Sequence, residues 1–462
     1  MAETPTPALF DVVILGGGSG GYACALRASQ LGLTVALIEK GKLGGTCLHN
    51  GCIPTKALLH SAEVADMARE SAKVGVKTKF QGIEIAEVNK YKDSVVKRLY
   101  KGLQGLVKSR DITYISGMGQ VTGPQTVTVD GRVVQGRNLV LATGSYPRTL
   151  PGLEIGGRIM TSDQALEMDW IPESAIILGG GVIGVEFASV WRSFGVDVTV
   201  VEGLANLIPN EDAAASKAME RAFRKRKIKS KLGVRFASAV QDGSGVTVTL
   251  EDGAELRAEI LLVAIGRGPN SADMGFEEAG VTVDRGWVPV DERLQTNLSN
   301  TYAVGDVVPG LQLAHRGFAQ GIFVAEEIAG LAPDVIEEIG IPRVTYSHPE
   351  VASVGYTQAQ AEDKFGKDNV TTYEYNLGGN GKSQILGTAG FVKLVEVTDG
   401  PIVGLHLVGD RVGEQIGEAQ LIYNWEATAV DVAKLIHAHP TQNEAVGEAH
   451  LALAGKPLHA HA

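Results

Sequence analysis

The chain has 462 residues, 44% of them hydrophobic, and a formal net charge of −11. That length gives room for about three domains with packed cores, and the acidic balance argues against nucleic acid as the main ligand. No apolar run approaches membrane-spanning length, and the first ten residues carry no basic cluster of the kind found in targeting peptides, so a cytoplasmic location without membrane contact is expected.

In chain order, the first predicted strand is Val12-Val13-Ile14-Leu15. It runs into Gly16-Gly17-Gly18-Ser19-Gly20-Gly21, then a helical stretch and a second strand ending at Glu39. Glycines at 16, 18 and 21 let a backbone approach a pyrophosphate at a helix N-terminus, and the acid some twenty residues on suits a ribose hydroxyl pair. Cys24, among Ala23, Ala25 and Leu26, reads as a small apolar filler.

The other two cysteines follow in Cys47-Leu48-His49-Asn50-Gly51-Cys52. Three cysteines are too few for a secreted disulfide scaffold. A redox pair is the favoured reading; two independent thiols, or a zinc site completed by His49 and His60, stay open as alternatives. Residues five apart in a regular helix are separated by about 8.6 Å between Cα atoms, whereas a disulfide needs about 4.4–6.8 Å. A bonded pair therefore predicts a helix break, for which Gly51 supplies the freedom.

The unit then repeats. Ala175-Ile176-Ile177-Leu178 precedes Gly179-Gly180-Gly181-Val182-Ile183-Gly184, and Gly16/Gly179, Gly32/Gly195 and Glu39/Glu202 are all 163 residues apart. One glycine motif is weak evidence; two in register, each after an apolar strand and each with its acid, predict two bound dinucleotides. Glu202 would repel a 2′-phosphate, and Gly203-Leu204-Ala205 offers no arginine, so the second should be NAD. The first, with the cysteine pair behind it, should be FAD. The basic run Arg221, Arg224, Lys225, Arg226, Lys227, Lys229, Lys231 reads as a solvated helix end, with an acidic partner's docking patch as the sharper alternative. The His/Ala-rich end, Leu458 to Ala462, reads as a loose tail.

Gly44-Gly45-Thr46-Cys47 through Cys52-Ile53-Pro54-Thr55-Lys56 resembles the redox signature of the class I pyridine nucleotide-disulfide oxidoreductases. The likeness extends over nearly the whole chain. Leu141-Ala142-Thr143-Gly144 and Ala264-Ile265-Gly266-Arg267 resemble the family's two strand-to-loop crossings. Tyr302-Ala303-Val304-Gly305-Asp306 and Leu313-Ala314-His315 resemble its flavin-contacting segments, and His437-Ala438-His439-Pro440-Thr441 with Glu444 resembles its catalytic His–Glu pair. His437 and His348 read as structural.

The resemblance implies an α/β fold with two Rossmann-like dinucleotide-binding domains and a C-terminal α+β interface domain. The expected division is FAD-binding residues 1–149 and 271–341, NAD-binding residues 150–270 and interface residues 342–462. It implies FAD contacts at Gly16, Gly18, Gly21, Glu39, Lys40, Gly45, Thr46, Lys56, Gly119, Thr143, Gly144, Asp306 and Ala314. NAD contacts are implied at Gly179, Gly181, Ile183, Gly184, Glu202 and Gly266, and no metal. It also implies a Cys47–Cys52 disulfide that oxidises a dihydrolipoyl dithiol for NAD⁺, with Cys47 exchanging with substrate, Cys52 facing the flavin, Lys56 paired with Glu186, and His439 oriented by Glu444.

Val182 and Gly184, where glutathione-reducing members carry tyrosine and usually alanine, and the lack of a C-terminal cysteine pair favour the lipoyl branch. The His49-Asn50 pair departs from the residues usual between the cysteines and is expected to tune the couple. The implied partners are a second copy of the chain, whose active site His439 completes, and the lipoyl domains and acyltransferase core of 2-oxoacid dehydrogenase complexes, or a glycine cleavage system. The rivals are a reductase of glutathione-like or coenzyme A disulfides and a non-catalytic NAD-sensing scaffold.

Overall fold

The structure, a computed structural model, describes residues 9–460. Its first sheet has strand order Thr113–Ser116, Val35–Glu39, Leu9–Leu15, Arg132–Leu141, Thr126–Val129, Gly119–Gly123. Thr301–Ala303 returns from far along the chain to pair in parallel with Arg132–Leu141, Tyr302 opposite Val140. Val12, Val13 and Ile14 are fully buried, because helices and loops cover both faces of the central parallel strands; hence the unbroken apolar run. Helix Ser19–Gln30 packs there against helix Ala314–Ile328.

The second sheet is all parallel, ordered Lys229–Leu232, Asp197–Glu202, Ser174–Leu178, Ile260–Val263, Ile159–Thr161. An antiparallel meander, Phe236–Gln241, Val246–Leu250 and Glu255–Ala258, fills the crossover before Ile260. Where the chain leaves the first unit and comes back to it, Ser145–Pro147 and Arg267–Pro269 pair as a two-stranded joint.

The third sheet is antiparallel, ordered Arg343–Thr345, Glu350–Gly355, Ile402–Gly409, Phe391–Val397, Val370–Asn376. One face packs on helices Val412–Asn424 and Glu444–Leu453. The other sends Val351, Phe391 and Val408 into the core beside the second sheet. The architecture is thus α/β, two Rossmann-like units and a C-terminal α+β unit.

Among the described residues, no helix is long and apolar enough to cross a membrane. The expected loose tail needs correction: His459 is tied to the buried Glu448, backbone N to Oε2 at 3.0 Å and ring Nδ1 to Oε1 at 2.8 Å. His461 and Ala462, the rest of that tail, lie outside the described residues.

Candidate active site

Both glycine motifs are built alike. Gly16 and Gly179 have φ of +109° and +107°, and a Cβ there would lie 2.2 Å from the Ala142 carbonyl oxygen and 2.3 Å from that of Ala264. A Cβ at Gly21 or Gly184 would lie 1.8 or 1.9 Å from the carbonyl oxygen of Gly16 or Gly179, so the helix crowds its own loop. The middle glycines differ. A Cβ at Gly181 would meet nothing within 4 Å, and one at Gly18 only the Gly45 Cα at 3.9 Å. Their open side is where a pyrophosphate can come against the backbone and the helix N-terminus.

The acids repeat as well. Glu39 accepts from Gly17 N and Gly41 N, both at 2.6 Å, and Glu202 accepts from Gly180 N at 2.7 Å and Leu204 N at 2.8 Å. Each carboxylate is thereby fixed at the edge of its loop. Residues 203–205 hold no arginine; Arg235 from the neighbouring segment lays its side chain against Gly203, its Cγ 3.3 Å from where a Cβ would stand.

The cysteines sit at a helix break. Helix Gly45–His49 stops at Asn50, and helix Cys52–Glu70 begins after Gly51. A Cβ at Gly51 would come within 3.0 Å of the Thr46 carbonyl oxygen. The two cysteines are free thiols that act on each other's ionisation. The Cys47 thiol is the main cause of the lowered pKa of Cys52; Lys56 lowers it further, against the effect of burial. Cys47 moves the opposite way, first through Cys52 and then through burial. Cys52 is also the first residue of its helix, the position at which a thiolate gains from backbone N–H groups.

Lys56, one helical turn beyond Cys52, pairs with the buried Glu186 at 2.8 and 3.0 Å. Glu186 also accepts from Tyr346 N at 2.9 Å, and the ammonium lies 4.7 Å from the Tyr346 ring centroid. Burial pulls the lysine's pKa down, but the carboxylate outweighs it and the net shift is upward. A lasting positive charge beside the thiolate follows.

Around these stand Asp306, Ser145, Thr46 and Arg267. Ser145 Oγ donates to Asp306 at 2.6 Å; Arg267 donates to Ser145 Oγ at 2.7 Å and reaches Thr46 Oγ1 at 3.4 Å. Thr143 Oγ1 is buried with no partner. An orphaned hydroxyl, an open glycine cradle and an acid fixed at the loop edge fit FAD in the first unit; the second cradle with Glu202 fits NAD. Gly144 and Gly266, with φ of +74° and +106°, turn the chain at the joint between the units. Ala314 opens its helix, Gly119 is buried against Leu15 and Ile38, Lys40 is exposed, Gly45 lies against Gly18, and Ile183 packs on the second unit's core. Arg267, Ser145 and Tyr346 escaped the sequence-based assignment. Arg267 stands in a quoted motif, but its role, like those of Ser145 and Tyr346, depends on contacts across the fold.

His439 Nδ1 meets Glu444 Oε1 at 2.7 Å, and Glu444 Oε2 accepts from Thr441 N at 2.7 Å. The His439 side chain is 76% exposed. The charges that act most on the cysteine pair, besides the sulfurs' own, include Lys56, Asp306 and Glu186. His437 is held by Glu418 at 2.8 Å; of the two histidines the zinc alternative needs, His49 meets the Leu43 carbonyl through Nε2 at 2.8 Å and stacks edge-on with Tyr100, and His60 meets Glu63 at 3.3 Å.

Residues 10–321 match the family described as pyridine nucleotide-disulphide oxidoreductase, and residues 341–450 match its dimerisation domain. The chain belongs to this family. It is 42% identical to the dihydrolipoyl dehydrogenase of Bacillus subtilis (strain 168), over 97% of this chain and 99% of that protein. It is 36% identical to the dihydrolipoyl dehydrogenase of Geobacillus stearothermophilus, with 97% of each covered. The crystal structure of LpdA from Mycobacterium tuberculosis superposes with a TM-score of 0.89 at 27% identity, covering 96% of this chain and 99% of that one.

Proposed function

We propose that this chain is an NAD-dependent dihydrolipoyl dehydrogenase, converting a dihydrolipoyl dithiol and NAD⁺ into the lipoyl disulfide, NADH and a proton. The observation that carries the reading is the Cys47/Cys52 pair at a helix break, beside Lys56–Glu186 and next to two dinucleotide cradles of the same build.

In the oxidised enzyme the two sulfurs form a disulfide. One substrate thiol, deprotonated by His439, attacks Cys47; the Cys47–Cys52 bond breaks and Cys52 leaves as a thiolate, favoured by Lys56 and its helix N-terminus. The second substrate thiol then displaces Cys47, closing the lipoyl disulfide and leaving the enzyme as a dithiol. Glu444 holds His439 by Nδ1, leaving the other ring nitrogen to carry the proton. Bound FAD supplies the two-electron relay between the sulfur pair and NAD⁺. Thr143, Asp306 and the Gly16–Gly21 loop would hold the first dinucleotide, and Glu202 with the Gly179–Gly184 loop the second.

The functional division is residues 1–149 with 271–341, then 150–270, then 342–462. The chain acts as a homodimer in which the exposed His439–Glu444 dyad completes the partner's sulfur site. It serves lipoyl domains on the acyltransferase core of a 2-oxoacid dehydrogenase complex, in the cytoplasm.

Steady-state rates decide between substrates. Dihydrolipoamide with NAD⁺ should turn over rapidly, and glutathione disulfide or coenzyme A disulfide with NADH at no more than about one part in a hundred of that rate. Faster turnover of either of those disulfides would shift the assignment to that branch of the family, and no turnover with any of them would point to a scaffold.

A further inference from the structure

The repeat continues past Glu39 and Glu202 into the turns that follow them. In the first unit Gly44 N donates to the Gly17 carbonyl at 2.8 Å, and in the second Ile208 N donates to the Gly180 carbonyl at 2.8 Å. A Cβ at Gly17 would lie 2.9 Å from Leu43 Cδ2, and one at Gly180 2.7 Å from Leu207 Cδ2. Leu43-Gly44 and Leu207-Ile208 are therefore the same clamp on the same phosphate-binding loop. They differ in one respect. Gly44 adopts its φ of +104° freely, whereas Ile208 has φ +44°, a conformation costly for a β-branched residue unless its surroundings hold it there.

What holds it is the C-terminal sheet. Arg343, Ser353, His406 and Lys393 are opposite one another on four successive strands and form one polar rung. That rung receives Glu211 and Asp212, three and four residues beyond Ile208. Lys393 Nζ donates to Asp212 Oδ1 and Gln358 Oε1, both at 2.8 Å, and Gln358 N donates to Asp212 Oδ2 at 3.0 Å. Arg343 pairs with Glu211 at 3.4 Å, and Ser353 donates to Glu211 Oε2 at 2.5 Å. Lys393 and Asp212 are 9% and 2% exposed, so an unpaired charge there would be costly and the contact is stiff. Glu211 N closes the turn onto the Ile208 carbonyl at 3.0 Å, and Asp212 caps helix Ala213–Lys225 through Ala214 N at 2.9 Å.

We infer that Lys393 and Arg343 are positioning residues for NAD⁺: by anchoring Glu211–Asp212 they keep the Leu207–Ile208 turn pressed on Gly180, and so hold the second phosphate loop in its binding shape. The inference rests on the second unit being the NAD site. It makes the C-terminal sheet a part of the nucleotide site that it does not touch. Among the described residues no such anchor is found in the first unit, where glycine needs none and the chain runs on into the redox helix.

The test uses the FAD-loaded enzyme and Lys393→Met, with Lys393→Arg as the conservative variant. In Lys393→Met, the NAD⁺ dissociation constant measured by calorimetry should rise about tenfold, and kcat/KM for NAD⁺ should fall in proportion. In a ping-pong reaction kcat/KM for dihydrolipoamide is independent of the nucleotide half and should stay within about twofold of the native value. Hydrogen exchange should quicken at the Ile208 amide, and Lys393→Arg should restore it along with NAD⁺ affinity. If Lys393→Met does not fold, Asp212→Ser, which retains a helix cap, carries the same expectations. A variant with faster Ile208 exchange but native NAD⁺ affinity overturns the positioning role, as does unchanged Ile208 exchange. Native enzyme that binds no NAD⁺ would instead bring down the assignment of the second unit.

Discussion

At the scale of single residues, the two sulfurs are made unequal by their neighbours. Cys52 begins a helix, and the Cys47 thiol and Lys56 both favour its thiolate. Cys47→Ser should therefore still hold a thiolate at Cys52, visible in the oxidised holoenzyme as a long-wavelength thiolate–flavin band, while dihydrolipoamide turnover is lost. Cys52→Ser should lose both, with FAD still bound; identical spectra would show that the roles are not divided this way. In the proposed assignment nucleotide choice turns on Glu202, whose two oxygens are fixed by Gly180 N and Leu204 N. Loss of one charge-assisted hydrogen bond plus repulsion amounts to about 3 kcal/mol, so NADH should be preferred to NADPH by roughly a hundredfold in kcat/KM. Because Arg235 lies against Gly203, Glu202→Ala should bring the two nucleotides close to parity; a preference left intact would mean that Glu202 does not set it. The sequence was a good guide to residues whose chemistry is local: the acids, the cysteines and the His–Glu spacing. It was blind to Arg235, Arg267 and Ser145, which matter through neighbours that only folding brings close.

At the scale of elements, the glycine loops divide into positions needed for folding and positions needed for ligand. Gly179→Ala places a methyl against the Ala264 carbonyl at positive φ and should cost about 1–3 kcal/mol of stability, seen in thermal unfolding. Gly181→Ala meets no protein atom, so it should fold normally and raise KM for NAD⁺ while leaving the dihydrolipoamide half untouched. Equal thermal losses for the two would contradict that division. The C-terminal helix Glu444–Leu453 carries a pH dependence of its own. His450 is fully buried, and burial pulls its pKa down to about 4. Between pH 6.5 and 4 the unfolded chain binds the proton and the folded chain does not, so stability falls as pH drops through that window, by up to about 3 kcal/mol. Unfolding midpoints across that range should flatten in His450→Gln, and a slope unchanged by the substitution would place the titration elsewhere. Strand-to-helix units were readable because their period and glycine spacing are local. The Asn50–Gly51 break followed from disulfide geometry alone. The tail's attachment to Glu448 had no such signal, since it depends on a buried acid contributed by another helix.

At the scale of the whole molecule, the 163-residue repeat announces the two nucleotide units, and the apolar strand at Thr301–Ala303 shows its place only once it has returned to the first sheet beside Arg132–Leu141. Sequence spacing could not say whose sulfurs His439 serves. The single chain leaves His439 exposed, and residues 341–450 match a dimerisation domain. Both features suit a dyad that works in trans. A Cys52→Ser chain and a His439→Gln chain, unfolded and refolded together, test this directly. Each parent homodimer should be nearly inactive, one for want of the flavin-facing thiol and the other for want of the base. In a mixed dimer with trans sites, one centre collects both defects and the other none. Random pairing makes about half of the dimers mixed, each with one working centre of two, so roughly a quarter of native activity should return. If His439 served its own chain, every centre would keep one defect and activity would stay at the parents' level; that result would move the dyad back into the monomer and leave the sulfur chemistry standing.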